Sequence, residues 1–289
     1  MVELSIVIPA YNEADGIGPV LQELAAVMAK SGIEHEILVV DDGSSDGTVR
    51  GVEALLGSLK QVRLLQHDEN RGYGAALKTG ILAASAPVIA ITDADGTYPN
   101  ERIPELYRAL LARRADMVVG SRTGANVHIP LVRRPAKAAL GALANYLSGR
   151  RIPDLNSGLR VFRKEPVVAR FNLISSGFSF TTTTTLALLA RGGSVHFVPI
   201  DYARRTGASK IRPIRDTLNF TVLILRVSIY FHPLKVFLPL AALLGAGGVA
   251  YGAYQLGQGD LGEVPVLLLL SALQMFVFGL IADMISRKN

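Results

Sequence analysis

Apolar positions follow two rhythms along the first two hundred residues of this 289-residue chain. Short apolar runs read as strands: "LSIVIPAY" (4–11), "HEILVVDD" (35–42), "QVRLLQ" (61–66), "PVIAIT" (87–92) and "ADMVVGS" (115–121). Between them, "IGPVLQELAAVMAK", "VRGVEALLGSL", "GAALKTGILAAS" and "IPELYRALLARR" carry helical spacing, and Gly32 closes the first. Strands alternating with helices of about a dozen residues predict an α/β fold with a doubly wound, mainly parallel sheet. Ligands of such sheets bind beyond the carboxyl ends of the strands. Those ends carry Asn12 and Glu13, Asp41 and Asp42, Arg71, Asp93 and Asp95, and Arg122.

Beyond residue 212 the alternation stops. "TLNFTVLILRVSIYF" (217–231) is strongly apolar with one Arg, and segment 213–232 reads as an interfacial helix beside a membrane. Residues 234–256 and 264–285 are each long enough to cross hydrocarbon, which takes ~20 residues. Only "GQGDLGE" joins them, so region 233–289 predicts a transmembrane hairpin rather than two buried core helices. The connecting loop has no Lys or Arg, whereas Arg226 and Lys235 precede the first span and Arg287 and Lys288 follow the second. The positive-inside bias then puts the region 1–212 and the C-terminus in the cytoplasm, and the protein is read as multi-pass. "MVELSIVIPAYNE" lacks a basic n-region and reads as a first strand, not a signal peptide.

Composition changes this picture in two places. There is no cysteine, which rules out a disulfide framework and thiol chemistry. The net charge of +6 is concentrated at Arg122, Arg133, Arg134, Lys137, Arg150, Arg151, Arg160, Arg163 and Lys164, a segment poor in acids. Such a patch suits anions: nucleic acid, anionic lipid or phosphorylated substrates. Nucleic acid leaves the carboxylates unexplained, and no aromatics interleave the basic residues for base stacking.

Candidate chemistry centres on "ITDADGTYP" (91–99). Along an extended backbone Asp93 and Asp95 point to one side, and like charges held so close call for a cation. Mg²⁺ binds through one or two carboxylates plus substrate phosphates, and Arg matches phosphate bidentately. Metal plus Arg around a diphosphate suggests stabilisation of a departing nucleoside diphosphate. Competing signals are weak. "GYGAAL" (72–77) follows a loop and lacks the third Gly of a dinucleotide fingerprint. No P-loop motif occurs, and His35, His67, His128, His196 and His232 lack metal-ligand spacing. The five-threonine run 181–185 reads as a helix start or a groove wall.

Taken in order, "IVIPAYNE", "VVDDGSSDGT", "NRGYGAALKTG", "TDADGTYP", "GSR" and "DLNSG" resemble the family 2 glycosyltransferases with the nucleotide-sugar-binding (GT-A-like) fold. The "RxxGxSK" loop (204–210) and the tail helices are similar to the polyprenyl-phosphate, dolichyl-phosphate mannose synthase-like branch. The resemblance implies that Pro9, Tyr11, Glu13, Asp41, Asp42, Arg71, Gly72, Lys78 and Ala94 bind the nucleotide sugar, with Asp42 and Asp41 reading the base. It implies that Asp93 and Asp95 hold Mg²⁺ or Mn²⁺ against the diphosphate. Arg122, with Arg133 or Arg134, would meet the acceptor phosphate, beside Asp154, Ser157 and Gly158. Arg204, Ser209 and Lys210 would sit on a loop closing over the donor, with Arg204 counted among the catalytic residues. Thr97 stands where some relatives carry Gln, and Thr123 replaces an aromatic after "GSR".

The partners so implied are a UDP- or GDP-linked sugar, a polyprenyl phosphate and a membrane, with homo-oligomers occurring in similar proteins. A lipid monophosphate has a second pKa of ~6 and is largely ionised at neutral pH, so direct, inverting displacement needs no general base. Two other readings stand beside this one. A processive polysaccharide synthase shares the fold, but its QxxRW motif needs a Trp and this chain has none. A non-catalytic membrane scaffold would have no use for both the acidic pair and the basic loop.

Overall fold

The structure, a computed structural model, describes residues 1–124, 141–142, 145–146, 149–203, 222, 225, 229–230, 232–259 and 262–288. In chain order the elements are β1 (Leu4–Ala10), α1 (Ala14–Ser31), β2 (His35–Asp41), α2 (Thr48–Leu56), β3 (Val62–Gln66), α3 (Tyr73–Ala83), β4 (Val88–Ile91), α4 (Ile103–Ala112) and β5 (Met117–Ser121). They continue with β6 (Arg160–Arg163), α5 (Lys164–Val168), α6 (Phe180–Ala190), β7 (Val195–Pro199), α7 (Pro233–Gly257) and α8 (Glu263–Lys288).

Among the described residues seven strands form one sheet in the order β3-β2-β1-β4-β6-β5-β7. Side chains alternate across it. Leu4, Ile6 and Ile8 of β1 pack with α1 and α4, whereas Val7 packs with α3 and α6 on the other face. Both faces are covered, so β1, β2 and β4 are buried throughout apart from the half-buried His35 at the start of β2, and read as continuous apolar runs. The C-terminal ends of β1, β2 and β4 therefore lie along one edge, where their loops meet.

One strand departs from the parallel pattern. β6 pairs antiparallel with both β4 and β5. It holds two apolar residues between two arginines, "RVFR", so in sequence it merges into the basic segment. Arg160 is fully buried in this strand and does not belong to the basic patch. Arg163 Nε donates to Ala115 O, and Lys164 Nζ donates to Leu82 O and Ala84 O. The surface basic patch is thus smaller than composition implies.

The threonine run lies at the start of α6 and is buried. Thr183, Thr184 and Thr185 hydroxyls donate back to carbonyls one turn earlier, which satisfies them inside the core.

At the far edge of the sheet Glu36 is buried and accepts from Ser5 Oγ, Ser85 N, Ser85 Oγ and Arg63 Nη1. Burial raises its pKa, but these hydrogen bonds outweigh it and hold the carboxyl below its ordinary 4.5. A depressed folded pKa stabilises the fold above the unfolded value, and that contribution disappears as pH falls through the folded one. Glu36→Gln should therefore lower the melting temperature at neutral pH and flatten its decline below pH 4.5. Parallel melting curves for the two proteins through the acid range would contradict this.

The helices α7 and α8 cover the two predicted spans and pack antiparallel. Gly279 leaves no room for a side chain, since a Cβ there would lie 2.9 Å from Phe237 Cβ. Gly248 approaches Leu269 similarly, at 3.0 Å. Small residues permit such close helix contact in lipid. Leu243, Val249, Leu267 and Leu273 point outward and are exposed. Both helices are long and apolar enough to cross a membrane. At their base Tyr146 donates to Lys235 O, and Val236 packs on Ile152, Leu186 and Leu189. The loop 204–210, most of segment 213–232, Lys137 and His128 lie outside the described residues.

Candidate active site

The loops after β1 and β2 are stitched together through the backbone. Asn12, in the left-handed region at φ 54°, donates its N–H to Ser44 Oγ, and its Oδ1 accepts from Ser45 N. Glu13 N donates to Thr48 Oγ1 at 2.9 Å. Asp42 is buried and accepts three hydrogen bonds, from His67 Nδ1, Arg71 N and Gly72 N, at 2.7 to 2.9 Å. It ties the 67–72 loop to β2. Asp41 accepts from Ser44 N through Oδ2, while its buried Oδ1 has no hydrogen-bond partner among the described residues.

These loops enclose a cavity of about 210 Å³. Pro9, Tyr11, Glu13, Asp42, Gly72, Asp93, Ala94 and Asp95 line it, joined by Asn70, Tyr73, Ala76 and Phe178, which sequence reasoning did not single out. Asn70, Tyr73 and Ala76 fall inside the "NRGYGAALKTG" motif, whereas Phe178 lies in none; only the tertiary fold brings residue 178 beside the start of α3. Three expected residues stand elsewhere. Asp41 lies behind the wall, and the Arg71 side chain is exposed outside the lining. Lys78 Nζ is spent on Phe171 O, Ile174 O and Ser176 Oγ, where it fastens segment 171–176 to α3. A shallower hollow of about 400 Å³ at Asp116, Glu165 and Arg191 lies at the opposite ends of β5 and β7 and holds none of the expected residues.

The acidic pair lies past the end of β4, which stops at Ile91, so a turn rather than strand alternation sets its geometry. Asp93 Oδ1 accepts from the Tyr73 hydroxyl at 3.0 Å. Burial, reinforced by the Asp93 charge, pushes the Tyr73 phenol well above its ordinary value, which keeps it a donor. Asp95 Oδ1 accepts from Thr97 Oγ1 at 2.6 Å and Thr97 N at 3.1 Å. Thr97, the departure noted in the sequence, thus orients the second acid.

The acceptor-side residues form a second cluster. Asp154, buried, grips Arg122 through Nε at 2.7 Å and Nη2 at 2.9 Å, and also accepts from Arg122 N. Burial opposes the guanidinium charge, but these bonds outweigh it and raise Arg122 above its usual range. The same guanidinium lies 5.2 Å from the Tyr202 ring. Ser157 Oγ donates to Gly120 O, and Gly158 N donates to Tyr98 Oη at 2.6 Å. Gly158 also joins the two clusters: a Cβ there would lie 3.0 and 3.1 Å from the Asp93 carboxylate oxygens. Arg133, Arg134, Arg204, Ser209 and Lys210 lie outside the described residues.

An α/β sheet whose strand ends gather an acidic pair at a cavity is the architecture of the GT-A-like glycosyltransferases. The chain belongs to glycosyltransferase family 2. The model described as "Glycosyl transferase family 2" matches residues 5–171, and "GtrB C-terminal hairpin" matches residues 232–287. It is similar to dodecaprenyl-phosphate galacturonate synthase of Rhizobium johnstonii, 28% identical over 99% of this chain and 88% of the relative. Dolichyl-phosphate hexose transferase of Haloferax volcanii is 31% identical over 73% of this chain and 87% of its own length. The fold matches solved glucosyl-3-phosphoglycerate synthase of Mycobacterium tuberculosis with TM-score 0.60, covering 78% of this chain and 80% of that one at 19% identity. That enzyme was crystallised with Mn²⁺ and UDP, and in another crystal with Mg²⁺ and UDP. The chain is a glycosyltransferase, and its apolar hairpin marks it as membrane-associated.

Proposed function

We propose that this enzyme transfers a hexosyl group from a UDP- or GDP-linked sugar to a polyprenyl phosphate, with inversion. The observation that carries the reading is the contact at Gly158, where the turn holding Arg122 abuts the first acid of the donor cavity. Relatives that act on polyprenyl phosphates, and a hairpin able to hold the domain at a lipid surface, support it.

The donor diphosphate lies against Asp93 and Asp95, with the base toward Asp42. No third carboxylate or histidine completes a metal cluster among the described residues. A pair of carboxylates completed by substrate phosphate oxygens is the donor set that Mg²⁺ accepts, so the residues fit Mg²⁺ or Mn²⁺. Such an ion neutralises charge on the diphosphate when bound. Arg122 faces the acceptor phosphate, held there by Asp154. Arg133 or Arg134 adds a second phosphate contact, and Arg204, Ser209 and Lys210 close over the donor. The phosphate oxygen attacks the anomeric carbon, the bond to the diphosphate breaks, and its electron pair leaves with the nucleoside diphosphate. No proton need be removed, because the lipid monophosphate is mostly dianionic at neutral pH. α7 and α8 cross the membrane with the catalytic domain and C-terminus in the cytoplasm, as the absence of Lys and Arg from the connecting loop favours.

The test is a donor panel. Protein in detergent with Mg²⁺ or Mn²⁺ and a polyprenyl phosphate receives UDP-glucose, UDP-GlcNAc, UDP-galacturonate or GDP-mannose. Nucleoside-diphosphate release that requires the lipid with one donor is the expected result. Release at the same rate without lipid would refute the acceptor, and inactivity with all donors would refute the reading of this site as a lipid glycosylation centre.

A further inference from the structure

Arg160 is fully buried, yet every acceptor it reaches is neutral. Nε and Nη2 both donate to Ser157 O, while Nη1 donates to Thr181 O at 2.8 Å and Thr185 Oγ1 at 3.0 Å, with Met117 Sδ at 3.8 Å. Burial pulls the guanidinium down to about 10, so it stays charged at neutral pH. A buried cation without a carboxylate is costly unless its donors are used. Here they bind the turn 154–158 to the first turns of α6.

The threonine run gives that link a second strand. Thr182, fully buried, donates its hydroxyl to Asn156 Oδ1 at 2.5 Å. Thr184 is equally buried on the same helix, but its hydroxyl donates only to Phe180 O within the helix. Two of the five hydroxyls therefore tie α6 to the acceptor side: Thr182 donates to Asn156, and Thr185, while donating to Thr181 O, accepts from Arg160, which in turn holds Ser157 O. The turn they brace presents Asp154 to Arg122 on one side and Gly158 to Asp93 on the other.

We infer that Thr182, Thr185 and Arg160 are positioning residues for lipid-phosphate transfer, and that α6 sets the acceptor turn at its working distance from the acidic pair. The inference rests on the proposed reading of the site. None of the three touches the donor cavity, so their effect falls on acceptor use. Nor would Val at Thr182 or Thr184 create a void, since it replaces a hydroxyl by a methyl.

The test compares two isosteric changes on one helix. Thr182→Val should lower kcat/KM for polyprenyl phosphate about tenfold, as expected when a half-buried acceptor loses its hydrogen bond. The KM for the nucleotide sugar should stay within about twofold. Thr182→Ser should restore acceptor use, and Thr184→Val should match wild type in both constants. Hydrogen exchange supplies a readout free of turnover: amides of 154–158 should exchange faster in Thr182→Val and unchanged in Thr184→Val. Equal exchange in the two variants would overturn the inference, as would equal losses of acceptor and donor efficiency in Thr182→Val. If wild type itself showed no lipid-dependent turnover, the functional reading would fall, while exchange would still decide whether α6 positions this turn.

Discussion

Asp95→Asn should reduce release of nucleoside diphosphate by about 10³-fold while the protein melts at the wild-type temperature. The size follows from placing a preorganised charge at the atoms where charge develops, which is worth roughly 10²–10³ for a single neutral donor and more where it holds a metal. Stability should hold because asparagine keeps the Oδ1 that accepts from Thr97 Oγ1 and N, the contacts that shape the turn. Removing the charge leaves Asp93 as the one carboxylate of the acidic pair, where two are needed to complement a cation and diphosphate. The accompanying measurement is Mn²⁺ binding in the presence of nucleoside diphosphate, which should weaken with turnover. Activity above a tenth of wild type would place the essential charge elsewhere. Unchanged Mn²⁺ affinity with lost activity would reassign Asp95 from metal binding to a direct role on the substrate.

Gly16→Ala should lower kcat/KM by about 10²-fold although it places the best helix former in a helix. In an exposed helix the change stabilises by ~1 kcal/mol. Gly16, however, is where α1 rests on the acidic turn: a Cβ would lie 2.5 Å from Ala94 O and 3.3 Å from Asp95 Cα. Relief requires the helix start or the 93–95 backbone to move by about 1 Å, and a displacement of that size at reacting groups costs ~10² in rate. Gly18, two residues on, has nothing within 4 Å of its Cβ position. Gly18→Ala should therefore stabilise the protein by ~0.5–1 kcal/mol with kinetics intact. Equal kinetics for the two variants would mean that the turn is not held by α1.

The contrast between these glycines shows where the sequence stops informing. Both sit in the same helical run, "ADGIGPVLQ", and no local pattern distinguishes the one that meets Ala94 from the one that meets nothing. Burial on both faces makes a parallel strand apolar without interruption, so β1, β2 and β4 announce themselves, as do two hydrophobic stretches of membrane length. The acidic pair is legible for a similar reason, since carboxylates abruptly following an apolar run have few structural uses. β6 was not legible. Its two arginines look like surface charge, and only the antiparallel pairing with β4 and β5 shows that Arg160 is enclosed.

What the sequence determined by itself is therefore the order of strands and helices from β1 to β5, the acidic pair at a strand end, the family pattern and the apolar hairpin, because each depends on neighbours within a few residues. Tertiary structure alone decided that Lys78 fastens segment 171–176 instead of lining the cavity, that Asp42 secures the 67–72 loop, and that Asp154 grips Arg122. It also decided that a threonine run reaches Asn156. Each of these is a hydrogen bond or ion pair between residues 25 to 98 positions apart, and the partner a polar side chain finds depends on which strands the topology lays side by side.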